Sequence, residues 1–200
     1  MTPQTPEEST TIRDRILESA EERFRQYGYR KTSMAEIAGD LHMSAANLYR
    51  YFQNKEDIAA GCAVRCFSRR DELLREVLHR PGISAVERLR EFVLTILRYT
   101  YDETHNNPNI NELVNVVVGR RQDVVHQKIG ATQSMLAEIL AEGNRSGEFR
   151  VADIVRTAET LYAALVLFST PLFMQFYPLE ELERMARQVV DLLISGLAVH

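Results

Sequence analysis

Residues 32–56 read TSMAEIAGDLHMSAANLYRYFQNKE, and this stretch decides the fold. Ser33 followed by Glu36 places a hydroxyl and an acid three residues apart, the pairing that closes a helix N-terminus from both sides. The helix it opens is predicted to end near Leu41. His42-Met43-Ser44 is then a short break, and Ala45–Phe52 a second, very short helix. Two helices joined by so tight a turn form a helix-turn-helix, in which the first braces across the sugar-phosphate backbone and the second enters the major groove. Ile37, Ala38, Leu41, Leu48 and Phe52 would pack both helices against a neighbour. Ser44, Ala45, Ala46, Asn47, Tyr49 and Arg50 would be left facing outward.

Helical signals extend in both directions. Upstream, residues 1–9 form a polar tail with Pro3 and Pro6. Thr11 and Asp14 then open a helix whose apolar positions Ile12, Ile16, Ala20, Phe24 and Tyr27 recur at helical spacing up to Gly28. Downstream, Asn54-Lys55-Glu56-Asp57 starts a fourth helix, with acids in the first turn where the helix dipole favours them. It runs towards His79 and stops at Pro81-Gly82. Further helices are predicted over Ser84–His105, Asn111–Val118 and Gln122–Asn144, then two long ones over Ala152–Gln175 and Leu179–Val199. The chain therefore reads as all-α, with about nine helices and no convincing strand. Residues 10–55 form the helix-turn-helix domain, residues 54–79 the connecting helix, and residues 80–200 a larger helical domain.

Composition narrows the function. Hydrophobic residues make up 45% and charged residues 26%, the ordinary globular range. The formal net charge of −4 excludes a general polycation. Residues 1–80 hold 13 Lys and Arg against 13 Asp and Glu, and the remainder 11 against 15, so any DNA contact must come from a local basic face in the first part. Two cysteines, Cys62 and Cys66, are too few for a secreted disulfide scaffold, and Met1–Thr11 lacks the apolar core of a signal peptide. Thr160–Leu179 is free of charge but is interrupted by polar residues and proline, which fits a buried helix better than a membrane span. A cytoplasmic protein is expected.

The same stretch, with Thr32–Ala38 followed by Met43–Glu56, resembles the signature of the tetracycline-repressor family, above all in Leu48-Tyr49-Arg50-Tyr51-Phe52 with Lys55 three residues later. It departs from the family pattern at Leu41-His42-Met43, where Ala-Gly-Val is usual. His42 thus stands where the backbone often turns left-handed, at some strain. Ala46 replaces a frequent glycine. The resemblance implies double-stranded operator DNA as partner and assigns roles. Ser33, Tyr49, Tyr51 and Lys55 would contact phosphates, which set register and affinity. Ser44 opens the groove-facing helix. Ala45, Ala46 and Asn47 would meet base edges, Asn as a partner for adenine and Ala for a thymine methyl. Arg50 could reach either guanine or phosphate.

The resemblance also implies a larger domain that binds a small-molecule effector and dimerises through the last two long helices. Ala158, Leu161, Tyr162, Leu165, Phe168 and Leu172 form one apolar stripe. Leu182, Met185, Val189, Leu192, Leu193, Leu197 and Val199 form another. Each fits a homodimer interface or an ordinary intrachain core. Tyr99, His105, Asn115, Met135, Tyr162, Phe168 and Met174 are the candidate ligand residues, mostly apolar and aromatic groups with a few polar ones. No Gly-rich phosphate loop, nucleophile elbow or Cys-x-x-Cys occurs. Glu76-Val77-Leu78-His79 is a lone Glu-x-x-His, short of a helical metal-enzyme ligand set. Neither enzyme activity, metal nor cofactor is expected. The alternative is a DNA-binding or chromosome-organising protein without small-molecule control.

Overall fold

The computed structural model describes residues 11–197. The tail at 1–9 and Val199 lie outside them. Eleven α-helices order the described residues. The first, α1 (Ile12–Tyr27), opens on Thr11, whose hydroxyl accepts from the Asp14 N–H while the Asp14 carboxylate accepts from the Thr11 N–H. It closes at Gly28, whose φ of +85° is a conformation that costs glycine little. In α2 (Met34–Asp40) the expected Ser33–Glu36 capping box forms. The break beyond Leu41 turns on His42 at φ +54°, the left-handed position anticipated for it.

α3 (Ala45–Leu48) is shorter than the Ala45–Phe52 helix read from the sequence. After Leu48 the chain tightens, with Arg50 N–H bonding to Asn47 C=O and Tyr51 N–H to Leu48 C=O. That tighter turn swings Phe52 back into the core. There it joins Ile16, Ala20 and Phe24 of α1, Ile37 of α2, Leu48, and Ile58 and Cys62 of α4 (Lys55–Leu78). At Gly61 the α1–α4 packing is so close that a Cβ would meet Leu17 Cδ2 at 2.6 Å.

The second core gathers the C-terminal half of α4 (Leu74, Val77, Leu78) with α5 (Ala85–Asn106), α7 (Gln122–Ser146) and the chain's last helices. α4 is thus shared between two cores. Its end is fixed by Arg88 of α5, only 5% exposed. The guanidinium donates to the Leu78 carbonyl and to those of Val77 (2.8 Å) and Arg80 (3.2 Å), and reaches Glu142 Oε1 at 3.3 Å. α6 (Ile110–Arg120) bridges the two halves of the molecule.

One long helix over Ala152–Gln175 was expected, and three pieces stand there: α8 (Ile154–Ala164), α9 (Val166–Ser169) and α10 (Pro171–Met174). Pro171 is the cause of the second break. It forces Thr170 into an extended conformation (φ −120°, ψ 119°) and then serves as the first residue of the next helix. The breaks turn Phe168 and Met174 into the core. α11 (Leu179–Leu197) ends the fold. This division accounts for eleven helices where about nine were expected. No helix among the described residues is long and apolar enough to cross a membrane.

Candidate nucleic-acid interface and sensor cavity

The residues expected to face DNA are all at least partly exposed on the head. Ser33, Ser44, Ala46, Tyr49 and Arg50 are exposed, and Ala45, Asn47, Tyr51 and Lys55 are half-buried. Ser44 caps α3 by accepting from the Asn47 N–H at 3.2 Å, which holds the start of that helix in shape. Ser33 Oγ donates to Glu36 Oε2 at 2.7 Å, and the bonds from Ser33 hold the Glu36 carboxyl below its usual range. The acids of α2 are answered from α1, where Arg23 bonds Asp40 and lies 3.5 Å from Glu36. Arg13 donates to the Tyr51 carbonyl at 2.5 Å and lies over the Phe52 ring, steadying the turn after α3.

Lys55 stands differently from the expectation of an outward-reaching ammonium. Its Nζ donates to the carbonyls of Tyr29 (2.8 Å) and Thr32 (2.6 Å) and sits 4.2 Å from the centroid of the Tyr29 ring. Burial draws its pKa down. Lys55 therefore ties the start of α4 to the loop before α2. The exposed cations on that loop are Arg30 and Lys31, which sequence reasoning passed over. A basic pair directly ahead of the Ser33 cap was the available signal.

In the larger domain a cavity of about 230 Å³ opens between α4, α5, α6, α7 and the α8–α10 turn. Phe67, Val114, Val117, Val118, Val125 and Pro171 supply apolar wall, while Arg70, Lys128, Tyr99 and Glu103 supply polar groups. Arg70 is 3% exposed and donates twice to Asp71 Oδ1 (2.6 and 3.0 Å) and once to Thr132 Oγ1 (3.2 Å). Lys128 Nζ meets the Ser169 carbonyl at 3.4 Å. Burial, aided by the Arg70 charge, draws its pKa down to about 8. Arg70 Cζ and Lys128 Nζ each lie 5.6 Å from the centroid of the Phe67 ring. The Tyr99 hydroxyl donates to the Cys66 carbonyl at 2.8 Å. Burial pushes the thiols of Cys62 and Cys66 up, away from a reactive thiolate.

Of the ligand candidates, Tyr99 and Tyr162 stand on the cavity wall. Met135, Phe168 and Met174 are buried in the core instead. Asn115 is on the exposed side of α6. His105 is exposed at the end of α5, stacked on Tyr101 with ring centroids 3.8 Å apart. Helical spacing identified apolar faces but not which of them borders a void. The stripe proposed for dimerisation is also largely internal. Ala158, Leu161, Leu165, Phe168 and Leu182 are all buried within the chain, whereas Leu172 and Leu192 are exposed.

α6 connects cavity and head. Its residues Ile110, Leu113, Val114, Val117 and Val118 line the cavity. At its N-terminal end, the Asn109 side-chain amide donates to the Arg25 carbonyl (2.9 Å) and Glu112 Oε2 accepts from the Arg30 N–H (3.0 Å).

Residues 16–62 match the tetR family of bacterial regulatory proteins, and residues 85–190 match the tetracyclin repressor-like C-terminal domain. The chain is 21% identical over 186 residues to the fatty acid metabolism regulator protein of Bacillus subtilis, covering 91% of this chain and 93% of that protein. A transcriptional regulator of the TetR/AcrR family from Thermobifida fusca superposes with a TM-score of 0.67 at 22% identity, over 92% of this chain and 97% of the other. The Thermus thermophilus FadR repressor, solved in complex with lauroyl-CoA, does so with a TM-score of 0.65 at 22% identity, over 94% and 96%. With both halves of the chain matched in order, and with a helix-turn-helix head joined to an all-helical second domain, the protein belongs to the tetR family of bacterial transcriptional regulators.

Proposed function

We propose that this protein is a cytoplasmic repressor that binds a palindromic operator as a homodimer and lets go when a small molecule fills the cavity bordered by α6. The observation behind this is α6 itself, which faces the cavity along its length and is hydrogen-bonded to the head at its start. An occupant that moves α6 necessarily bears on the loop that presents Arg30, Lys31 and Ser33. Ligand and operator then oppose each other through one coupling free energy. The lauroyl-CoA complex of the Thermus repressor supports an effector with an apolar body. A DNA-organising role without an effector leaves both the cavity and the α6 attachment without a purpose.

On the DNA, Ala45, Ala46 and Asn47 meet bases, and Ser33, Tyr49, Tyr51, Arg30 and Lys31 meet phosphates. Arg50 reaches guanine or phosphate, and Lys55 shapes the loop that holds them. The two subunits pair through the outer faces of α8 and α11, where Val155 and Leu192 are 66% and 74% exposed, rather than through the stripes that fill the core, and each carries one head. Twofold symmetry sets them about one helical turn of DNA apart, ~34–36 Å.

The test is fluorescence anisotropy on the protein's own upstream DNA against a scrambled duplex. Selective binding is expected, weakened for every sequence by Tyr49→Ala, with a shallower salt dependence for Lys31→Ala. Binding that ignores sequence at all salt concentrations would exclude an operator-specific repressor.

A further inference from the structure

We propose that the effector is a compact monocarboxylate, its carboxylate seated between Lys128 and Arg70 and its apolar body lying along the valines of α6. This rests on the cavity being the effector site and adds the chemistry of its occupant.

The charges on the wall point to an anion. Lys128 presents three N–H bonds to a largely apolar space, and the acceptor it meets among the described residues is the Ser169 carbonyl at a long 3.4 Å. Arg70 from α4 is already matched by Asp71, and its Nη1 has no hydrogen-bond partner among the described residues. The Cys66 thiol of α4, the Tyr162 phenol of α8 and the Thr100 hydroxyl of α5, also on the wall, are neutral at physiological pH. Of the carboxylates near the cavity, Asp71 is held by Arg70 and Glu103 meets the Cys66 thiol at 4.0 Å. The Lys128 ammonium is therefore bonded to no carboxylate among the described residues. A buried ion without a counter-charge is costly, and a ligand anion relieves that cost on arrival.

Four further features define the anion. One ammonium without a carboxylate partner, on a wall that also carries Glu103, favours a monoanion over a phosphate dianion. The arrangement of an ammonium and free guanidinium N–H bonds, each beside the Phe67 ring, suits the two oxygens of a carboxylate. Glu103, towards the Cys66–Tyr99 side of the wall, repels a carboxylate from that side and so orients the ligand. The volume of about 230 Å³ lies below the ~300–1,000 Å³ typical of drug-sized sites, which favours a short aliphatic or aromatic acid. A coenzyme A thioester would have to leave its nucleotide outside and offer Lys128 a neutral carbonyl.

The experiment is calorimetric titration of the full-length protein with octanoate, benzoate, octanol and octanoyl-CoA, each also added to the operator-binding assay. Octanoate or benzoate is expected to bind roughly ten- to a hundredfold more tightly than octanol, the discrimination carried by a charge-assisted hydrogen bond. Lys128→Met, checked for folding by its thermal melt, should erase that preference, and Lys128→Arg should restore it. Equal binding of octanol and octanoate, a preference that survives Lys128→Met, tighter binding of octanoyl-CoA than of either acid, or no binding of any acid would each overturn the proposal. The underlying reading fails separately. If octanol and octanoate bind alike and both release operator DNA, the cavity is the effector site and only the charge assignment is lost. If octanoate binds in a Lys128-dependent way but leaves operator affinity unchanged, the carboxylate site stands and ligand-controlled repression does not.

Discussion

At the scale of single residues, His42 shows what a local pattern can foretell. The turn between the two short helices needs a left-handed backbone, and histidine holds φ +54° there without glycine's freedom. His42→Gly should raise the stability read from urea unfolding, by up to ~1 kcal/mol after glycine's extra unfolded-state entropy is subtracted. His42→Val should lower it by more than ~1 kcal/mol, because a β-branched side chain tolerates this region worst. Equal midpoints for the two variants would show that the turn relaxes freely. The capping boxes were legible for the same reason as this turn, since Thr11–Asp14 and Ser33–Glu36 are decided within three residues. Lys55 and Lys128 were not. Whether an ammonium points to solvent, to the Tyr29 and Thr32 carbonyls or into a cavity depends on partners that are 23 or more residues away along the chain.

At the scale of elements, the periodicity of apolar residues located nearly every helix but misjudged continuity in two. In α3 the apolar spacing to Phe52 is kept while the hydrogen bonds tighten, so the pattern survives the change of helix type. In α8–α10, Pro171 was visible in the sequence, yet the uncharged run around it reads as one buried rod until the breaks at Leu165 and Thr170 are seen. The role proposed for α6 was hidden more deeply, because its attachments at Asn109 and Glu112 reach residues 84 and 82 positions away. Asn109→Ala combined with Glu112→Ala should cut the ratio of operator affinities without and with effector from the 5–150-fold typical of allosteric coupling to near one. Calorimetry should still register effector binding. A ratio that persists in the double variant would mean that the signal bypasses this attachment.

At the scale of the whole molecule, composition and family likeness divide the chain into a head and a larger domain, but they do not single out a dimer face. One apolar stripe fits a core and an interface equally well, and only burial separates Leu161 at 2% exposure from Leu192 at 74%. Leu192→Glu should shift the sedimentation velocity species from dimer towards monomer and weaken operator binding by at least tenfold, since the second half-site contact is lost. An unchanged dimer would move the interface elsewhere. The buried Arg88 clasp at the end of α4 has a mechanical meaning of its own. It makes that end a fulcrum, and α4, with 24 residues, is an arm of about 36 Å. A tilt of ~10° at the clasp carries the far end, and with it the head, by ~6 Å. In a twofold pair the two displacements add to ~12 Å, about a third of the half-site spacing. The gearing depends on the stiffness of the joint: a slack hinge at Leu78–Arg80 would absorb a small repacking near Arg70, whereas a clasped one would convert it into a change of span that a rigid DNA groove cannot follow.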